Sequence, residues 1–219
     1  MITPMPDRRR LELVIATYNQ GKIREVQKAL EGLPLQFRYL SEFAHVSAVP
    51  ELGKTYEDNA VLKAIGYARQ TGVCALADDS GLEVDALDGR PGVFSARFGG
   101  ENASDADRVQ ALLSQLAEQT HSDRTARFVC CMALAGWDSA HTAKHDEPHL
   151  LTVTEARCEG AIAYAPRGEN GFGFDPVFLP TGYQETFGEL PNEIKASISH
   201  RAQALAKIRT FINRGLATA

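Results

Sequence analysis

The sequence predicts an α/β protein, because apolar runs of strand length alternate with helical stripes and polar or glycine-rich clusters fall at their junctions. Leu11 to Ala16 reads as a buried strand, and Ile23, Val26 and Leu30 mark the apolar stripe of a helix that follows a polar loop. Leu35 to Leu40 reads as a second strand. Tyr56, Ala60, Ala64 and Ala68 recur at helical spacing, with Gly72 as the C-terminal stop. Val73 to Ala77 reads as a short strand that gives way to a turn at Asp78-Asp79-Ser80-Gly81, placing two carboxylates where α/β proteins carry their sites. Val109, Leu112, Leu113 and Leu116 mark a further helix with Ser104 as its N-cap. Arg127 to Ala135 and Leu150 to Arg157 read as strands joined by a polar loop from Asp138 to Pro148. The glycine cluster Arg167 to Pro176 is irregular, Val177 to Leu179 resumes an apolar run, and Leu205, Ile208 and Ile212 share one face of a last helix capped by Ser199.

The 219 residues carry 23 Lys and Arg against 28 Asp and Glu, a formal charge of −5, with 44% hydrophobic residues. A chain of this length buries a core without disulfide or metal staples. Its net negative charge argues against a nucleic-acid binder, whose affinity comes from Lys and Arg neutralising phosphates. No run approaches the ~18 apolar residues of a membrane span. Arg8 to Arg10 precede an apolar run too short for a signal peptide, so residues 1–10 read as a tail and 11–219 as a single domain. Cys74, Cys130, Cys131 and Cys158 lack metal-ligand or disulfide-ladder spacing and read as reduced thiols of a cytoplasmic protein.

Three apparent motifs fail on their context. Gly53-Lys54-Thr55 lacks the earlier glycine and leading strand of a phosphate loop, since Ala48 stands five positions before Gly53. Gly171-Phe172-Gly173 precedes Asp175-Pro176 rather than a helix, which does not suit a dinucleotide fingerprint. His141, His145 and His149 recur every four residues, but Pro148 and polar neighbours make that stretch a loop rather than a zinc-binding helix.

Four polar clusters remain: Thr17 to Lys22, Glu51 to Asn59 with Lys63, Asp78 to Gly81, and Phe172 to Asp175 with Lys195 to Arg201. Thr17-Tyr18-Asn19-Gln20-Gly21-Lys22 lies where a strand passes into a helix N-terminus, whose free amides and dipole favour phosphate oxygens. Glu51, Asp78 and Asp79 are hard oxygen ligands of the kind Mg²⁺ takes alongside substrate phosphates, with Glu57 and Lys63 close by in sequence. Phe172 and Phe174 offer aromatic faces to a flat heterocycle, while His200 and Arg201 offer donors at its edge. Phosphate, metal and base requirements are all represented.

The blocks Ala16-Thr17-x-Asn19-x-x-Lys22, Ala77-Asp78-Asp79-Ser80-Gly81 through Ser95-Ala96-Arg97, Gly171-Phe172-Gly173-Phe174-Asp175-Pro176, and Lys195-x-x-x-Ser199-His200-Arg201 resemble the inosine triphosphate pyrophosphatase family. The resemblance runs in order over nearly the whole chain. It implies two lobes around a long, mixed, twisted β-sheet with flanking helices, an active-site cleft between the lobes, and a homodimer. It implies Mg²⁺-dependent hydrolysis of deaminated purine nucleoside triphosphates to monophosphate and pyrophosphate, with no nucleic-acid or membrane partner.

Carried over by position, Thr17, Tyr18, Asn19, Gln20, Gly21 and Lys22 hold the triphosphate, with Lys63 adding charge. Glu51 and Asp79 bind Mg²⁺, and Asp79 is also the general base, while Ser80 contacts substrate. Phe172, Gly173, Phe174 and Asp175 form the wall on which the base stacks, and Lys195, His200 and Arg201 surround its oxo edge. Tyr18 departs from the family's usual glycine, and Ala196 from its usual Asn. A pyrophosphatase of modified pyrimidine nucleotides and a non-catalytic nucleotide sensor are the alternatives, separable by a substrate panel.

Overall fold

The computed structural model describes residues 11–100, 102–119, 123–137 and 147–217. The N-terminal tail and most of the 138–148 loop, with His141 and His145, lie outside the described residues. In chain order the elements are β1 (Leu11–Ile15), α1 (Gln20–Ala29), β2 (Leu35–Tyr39), α2 (Tyr56–Thr71), β3 (Cys74–Val84), α3 (Asp105–Ala117), β4 (Thr125–Gly136), β5 (His149–Ile162), β6 (Phe178–Pro180), α4 (Asn192–Ile198) and α5 (His200–Ala217). Local chemistry sets their ends. Asn19 caps α1, Thr55 with Asp58 and Ser104 with Asp107 form capping boxes on α2 and α3, and Gly72 closes α2 in the left-handed region at φ 68°.

The strands form one six-stranded mixed sheet in the order β2-β1-β3-β4-β5-β6. β1 runs parallel to both β2 and β3, and every later neighbour is antiparallel. Alternation of side chains sorts the core by face. Leu13 and Ile15 of β1, Leu76 of β3 and Cys130, Met132 and Leu134 of β4 meet α1 and α5 through Ile23, Val26, Leu205 and Ile208. On the other face Val14, Ala75, Ala77, Val129 and Ala133 meet Tyr56, Ala60 and Ala64 of α2, small residues that let the helix lie close to the sheet. A third cluster around Leu82, Leu112, Phe128, Phe178 and Phe187 fills the β5–β6 end.

Two differences from the sequence reading matter for the site. β3 does not end at Ala77 but stays paired with β4 from Ala75 opposite Ala135 to Val84 opposite Ala126. Asp78 and Asp79 therefore lie within a strand, tolerated there because cations from neighbouring helices neutralise both carboxylates. The other difference is α4, whose seven residues are too few to show a helical stripe in sequence.

β1 also stops early. It pairs with β3 only through Ile15 opposite Leu76, a last bond runs from Ala16 N to Leu76 O, and contact on that side of β3 resumes at the Glu83–Pro91 bridge. The edge of β3 from Asp78 to Gly81 is thus open at the C-terminal end of β1. There the chain departs toward β2 through α1 on one face and returns to β3 through α2 on the other, the crevice in which open α/β sheets bind ligands. Among the described residues no helix is long and apolar enough to cross a membrane.

Leu205 is fully buried where α5 meets the sheet. Leu205→Ala is expected to lower stability by about 2–5 kcal/mol, read as a lower urea midpoint at unchanged slope. A cost under about 1 kcal/mol would contradict the packing of α5 described here.

Candidate active site

The loop leaving β1 is shaped by its own side chains. Asn19 N–H donates to Thr17 Oγ1 at 3.2 Å, and Asn19 Oδ1 accepts from the Lys22 amide at 3.0 Å. The amides of Gln20 and Gly21 have no acceptor within the helix and remain available to an anion. The Tyr18 and Gln20 side chains are exposed. Gly21 is obligatory for contact rather than for conformation: a Cβ there would lie 2.5 and 2.6 Å from Cδ1 and Cε1 of Phe172, whose ring rests on the first turn of α1.

On the α1/α5 face of β3, Asp78 is the hub of a charge network. Its Oδ2 meets Lys22 Nζ at 3.0 Å, Ser80 Oγ at 3.0 Å and Arg201 Nη2 at 3.2 Å. Arg201 is itself buried, donating through Nη2 to Ser80 Oγ at 2.8 Å and through Nη1 to Glu25 Oε2 at 2.7 Å. Glu25 Oε1 continues the chain to Lys195 Nζ at 3.2 Å, and Lys195 reaches Asp175 Oδ2 at 2.5 Å. Burial alone would raise the Asp78 pKa, yet Lys22, Arg201 and Lys63 together hold it well below the carboxylate range. Glu25 is likewise lowered against its burial by Arg201 and Lys195.

Asp79 points to the opposite face, toward α2. Lys63 Nζ lies 2.8 Å from Asp79 Oδ1 and 2.9 Å from Glu51 Oε1, and Asn59 Nδ2 donates to Asp79 Oδ2 at 3.3 Å. Burial raises the Asp79 pKa even with Lys63 opposing it, which makes the carboxylate a better proton acceptor than an exposed aspartate. Glu51 and Asp79 both converge on a single cationic point. Among the described residues no group of three or more His, Cys, Asp or Glu is arranged to hold a metal ion by itself.

Across the open edge a cavity of about 190 Å³ is lined by Asn19, Lys22, Ser80, Phe172, Lys195 and His200, among others. Lys195 Nζ lies 4.8 Å from the Phe172 ring centroid, while His200 stacks on Phe128 with centroids 4.6 Å apart and planes 10° apart. Phe172 N–H donates to Asp175 Oδ2 at 2.7 Å, so the acid that holds Lys195 also fixes the aromatic loop.

Two assemblies thus divide the residues that sequence singled out. Asn19, Lys22, Ser80, Phe172, Gly173, Phe174, Asp175, Lys195, His200 and Arg201 share the cavity, whereas Glu51, Lys63 and Asp79 sit beyond the edge of β3. Phe174 is buried and packs edge-on against Phe98, placing it behind the wall more than on it. Arg201 has both Nη atoms engaged by protein oxygens and serves as the strut of the network. Sequence reasoning missed Glu25, Asp105 and Arg108, and placed Asn59 in the cluster with Lys63 without a role of its own. Glu25 follows Lys22 by three residues and Asn59 precedes Lys63 by four, helical spacings that place them beside those lysines.

His200 is buried with Nδ1 unpartnered among the described residues, and burial, with Arg201 and Lys195 nearby, pushes its pKa well below 6.5. A histidine with a depressed folded pKa takes up a proton on unfolding, so the stability it supports is lost as pH falls below its unfolded value. Unfolding free energies should therefore fall for the wild type relative to His200→Leu between about pH 7.5 and 5. A pH-independent difference would show that His200 is not held neutral.

A sequence model of the Ham1 family matches residues 13–211. The dITP/XTP pyrophosphatase of Geobacter sulfurreducens is 46% identical over 200 residues, covering 91% of this chain and 96% of that protein. The dITP/XTP pyrophosphatase of Coxiella burnetii is 43% identical over 202 residues, covering 92% and 96%. Among solved structures, a HAM1 protein from Coxiella burnetii superposes with a TM-score of 0.81 at 43% identity, covering 93% of this chain and 99% of that one. The Staphylococcus aureus Ham1 protein superposes with a TM-score of 0.79 at 38% identity, covering 93% and 98%. The same residues that build the crevice at the end of β1 fall inside these matches, and the chain belongs to the Ham1 family.

Proposed function

We propose that this protein hydrolyses deaminated purine nucleoside triphosphates, ITP, dITP and XTP, to the monophosphate and pyrophosphate with Mg²⁺. The observation that carries the reading is the placement of a buried carboxylate, Asp79, across an open strand edge from an aromatic cavity rimmed by Lys22, Lys195 and His200. The relatives called dITP/XTP pyrophosphatase, 42–46% identical over more than nine-tenths of the chain, support it.

The triphosphate lies over the open edge of β3. Its oxygens meet the free amides of Gln20 and Gly21, the dipole of α1 and the ammonium of Lys22. Glu51 and Asp79 would hold Mg²⁺, which supplies charge neutralisation for the phosphates when bound. Asp79 orients a water toward the α-phosphorus and takes its proton as the new P–O bond forms. The bond from the α-phosphorus to the bridging oxygen breaks, and pyrophosphate leaves. Lys63 and Asn59 hold the Asp79 carboxylate in place through both of its oxygens. Positioning and electrostatics account for the chemistry.

The base stacks on Phe172, its 6-oxo group toward Lys195 and His200. Lys195 has one N–H left after Asp175 and Glu25 take the other two. Adenine presents an amino donor at that position, and two facing donors leave a buried polar group unpaired, a cost of about 1–3 kcal/mol. Arg201 acts one layer beneath, fixing Ser80, Asp78 and Glu25. We read residues 11–219 as one unit of two lobes, one on α1 and α2 and one on β5, β6 and α3, with the cleft between them. A homodimer and a cytoplasmic location are further parts of this reading; the four free thiols support the latter, and sedimentation tests the former.

Pyrophosphate release measured on ITP, dITP, XTP, ATP, GTP and UTP with Mg²⁺ or EDTA should be confined to the first three and require the metal. Release from none of them would leave a binding protein. Asp79→Asn should abolish turnover, by about 10³-fold or more, while nucleotide binding stays measurable. Retained activity in that variant would remove Asp79 from the role of base.

A further inference from the structure

Deaminated purines and guanine share the 6-oxo group, so recognition at Lys195 and His200 alone does not reject GTP. What distinguishes them is the substituent at C2: hydrogen in inosine, oxygen in xanthine and an amino group in guanine. In the first turn of α3, Asp105 and Arg108 line the same cavity as Phe172 and Lys195.

The donors and acceptors of this wall are already partly committed. Arg108 Nη1 donates to Asp105 Oδ1 at 2.6 Å, and Arg108 Nε donates to Ala96 O at 3.1 Å, which fixes the guanidinium plane. Asp105 Oδ2 accepts from Gly173 N–H at 2.7 Å, tying the aromatic loop to α3. Each Asp105 carboxylate oxygen is thus engaged once, while Arg108 Nη2 has no hydrogen-bond partner among the described residues. The Arg108 side chain is half-buried, at 20% relative exposure. Toward the cavity the wall thus offers a cationic donor that is held in place and uncommitted at Nη2.

We propose that Arg108 is the residue that reads C2: its Nη2 donates to the 2-oxo group of xanthine, tolerates the hydrogen of inosine, and opposes the 2-amino donor of guanine. The assignment rests on the activity proposed above and deepens it. Two N–H donors facing each other under a stacked base leave both unpaired, whereas an oxygen there completes a charge-assisted bond. Rejection of guanine thus needs no steric clash.

The test compares kcat/KM for ITP, XTP and GTP in the wild type, Arg108→Met and Arg108→Lys, alongside thermal midpoints. Arg108→Met is expected to lower the XTP-to-ITP ratio about tenfold, the size of one charge-assisted hydrogen bond, and to raise the GTP-to-ITP ratio. Arg108→Lys, which keeps a donor and the charge, should restore part of the xanthine preference. Ratios within one variant do not depend on how much of it is folded, so loss of the Ala96 tether alone would scale all three substrates equally. Equal scaling, or unchanged ratios in a wild type active on ITP and XTP, overturns the selector and leaves the activity standing. A wild type inactive on both overturns the activity and the selector with it.

Discussion

Consecutive side chains of a strand point to opposite faces of its sheet, and the site depends on that constraint. Asp78 and Asp79 are neighbours in sequence and yet belong to different assemblies, one meeting α1 and α5, the other α2. Such a division would be useless in the middle of a fully paired sheet. It becomes a single site because β1 ends at Ile15 and leaves the edge of β3 open beside both carboxylates, so that one extended ligand is able to reach across.

The two aspartates differ in what surrounds them. Asp78 is buried among Lys22, Ser80 and Arg201 and is held ionised, a structural anion that positions cations from two separate helices, α1 and α5. Asp79 has its proton affinity raised by burial and pairs through Lys63 with Glu51, and its proposed role as base rests on that contrast with Asp78. A buried cation without its partner is costly, so the network running from Lys22 to Asp175 stands or falls as a set. Glu25 is its quiet member: by binding both Lys195 and Arg201 it joins α1 to α4 and α5.

Much of this was legible in the sequence. The strands and helices that carry apolar periodicity appear where the pattern put them, and Ser104 and Gly72 cap and stop their helices as read. The extent of β3 was not legible, because a pair of aspartates reads as a turn unless the cations that neutralise them are known, and those come from distant parts of the chain. The cavity residues were found because they form local blocks. Asp105 and Arg108 escaped notice because they look like ordinary polar residues in the first turn of a capped helix, and only the contact with Gly173, 68 positions away, gives them a place at the site.

The packing of Phe172 on Gly21 has an evolutionary corollary. Any side chain at position 21 would collide with the ring at position 172 and would crowd the Asn19 cap, whose Oδ1 lies 3.0 Å from the same point. Neither position is free to drift alone. Even alanine at 21 would force the ring at 172 to swing away, so a change at either position is constrained by the other.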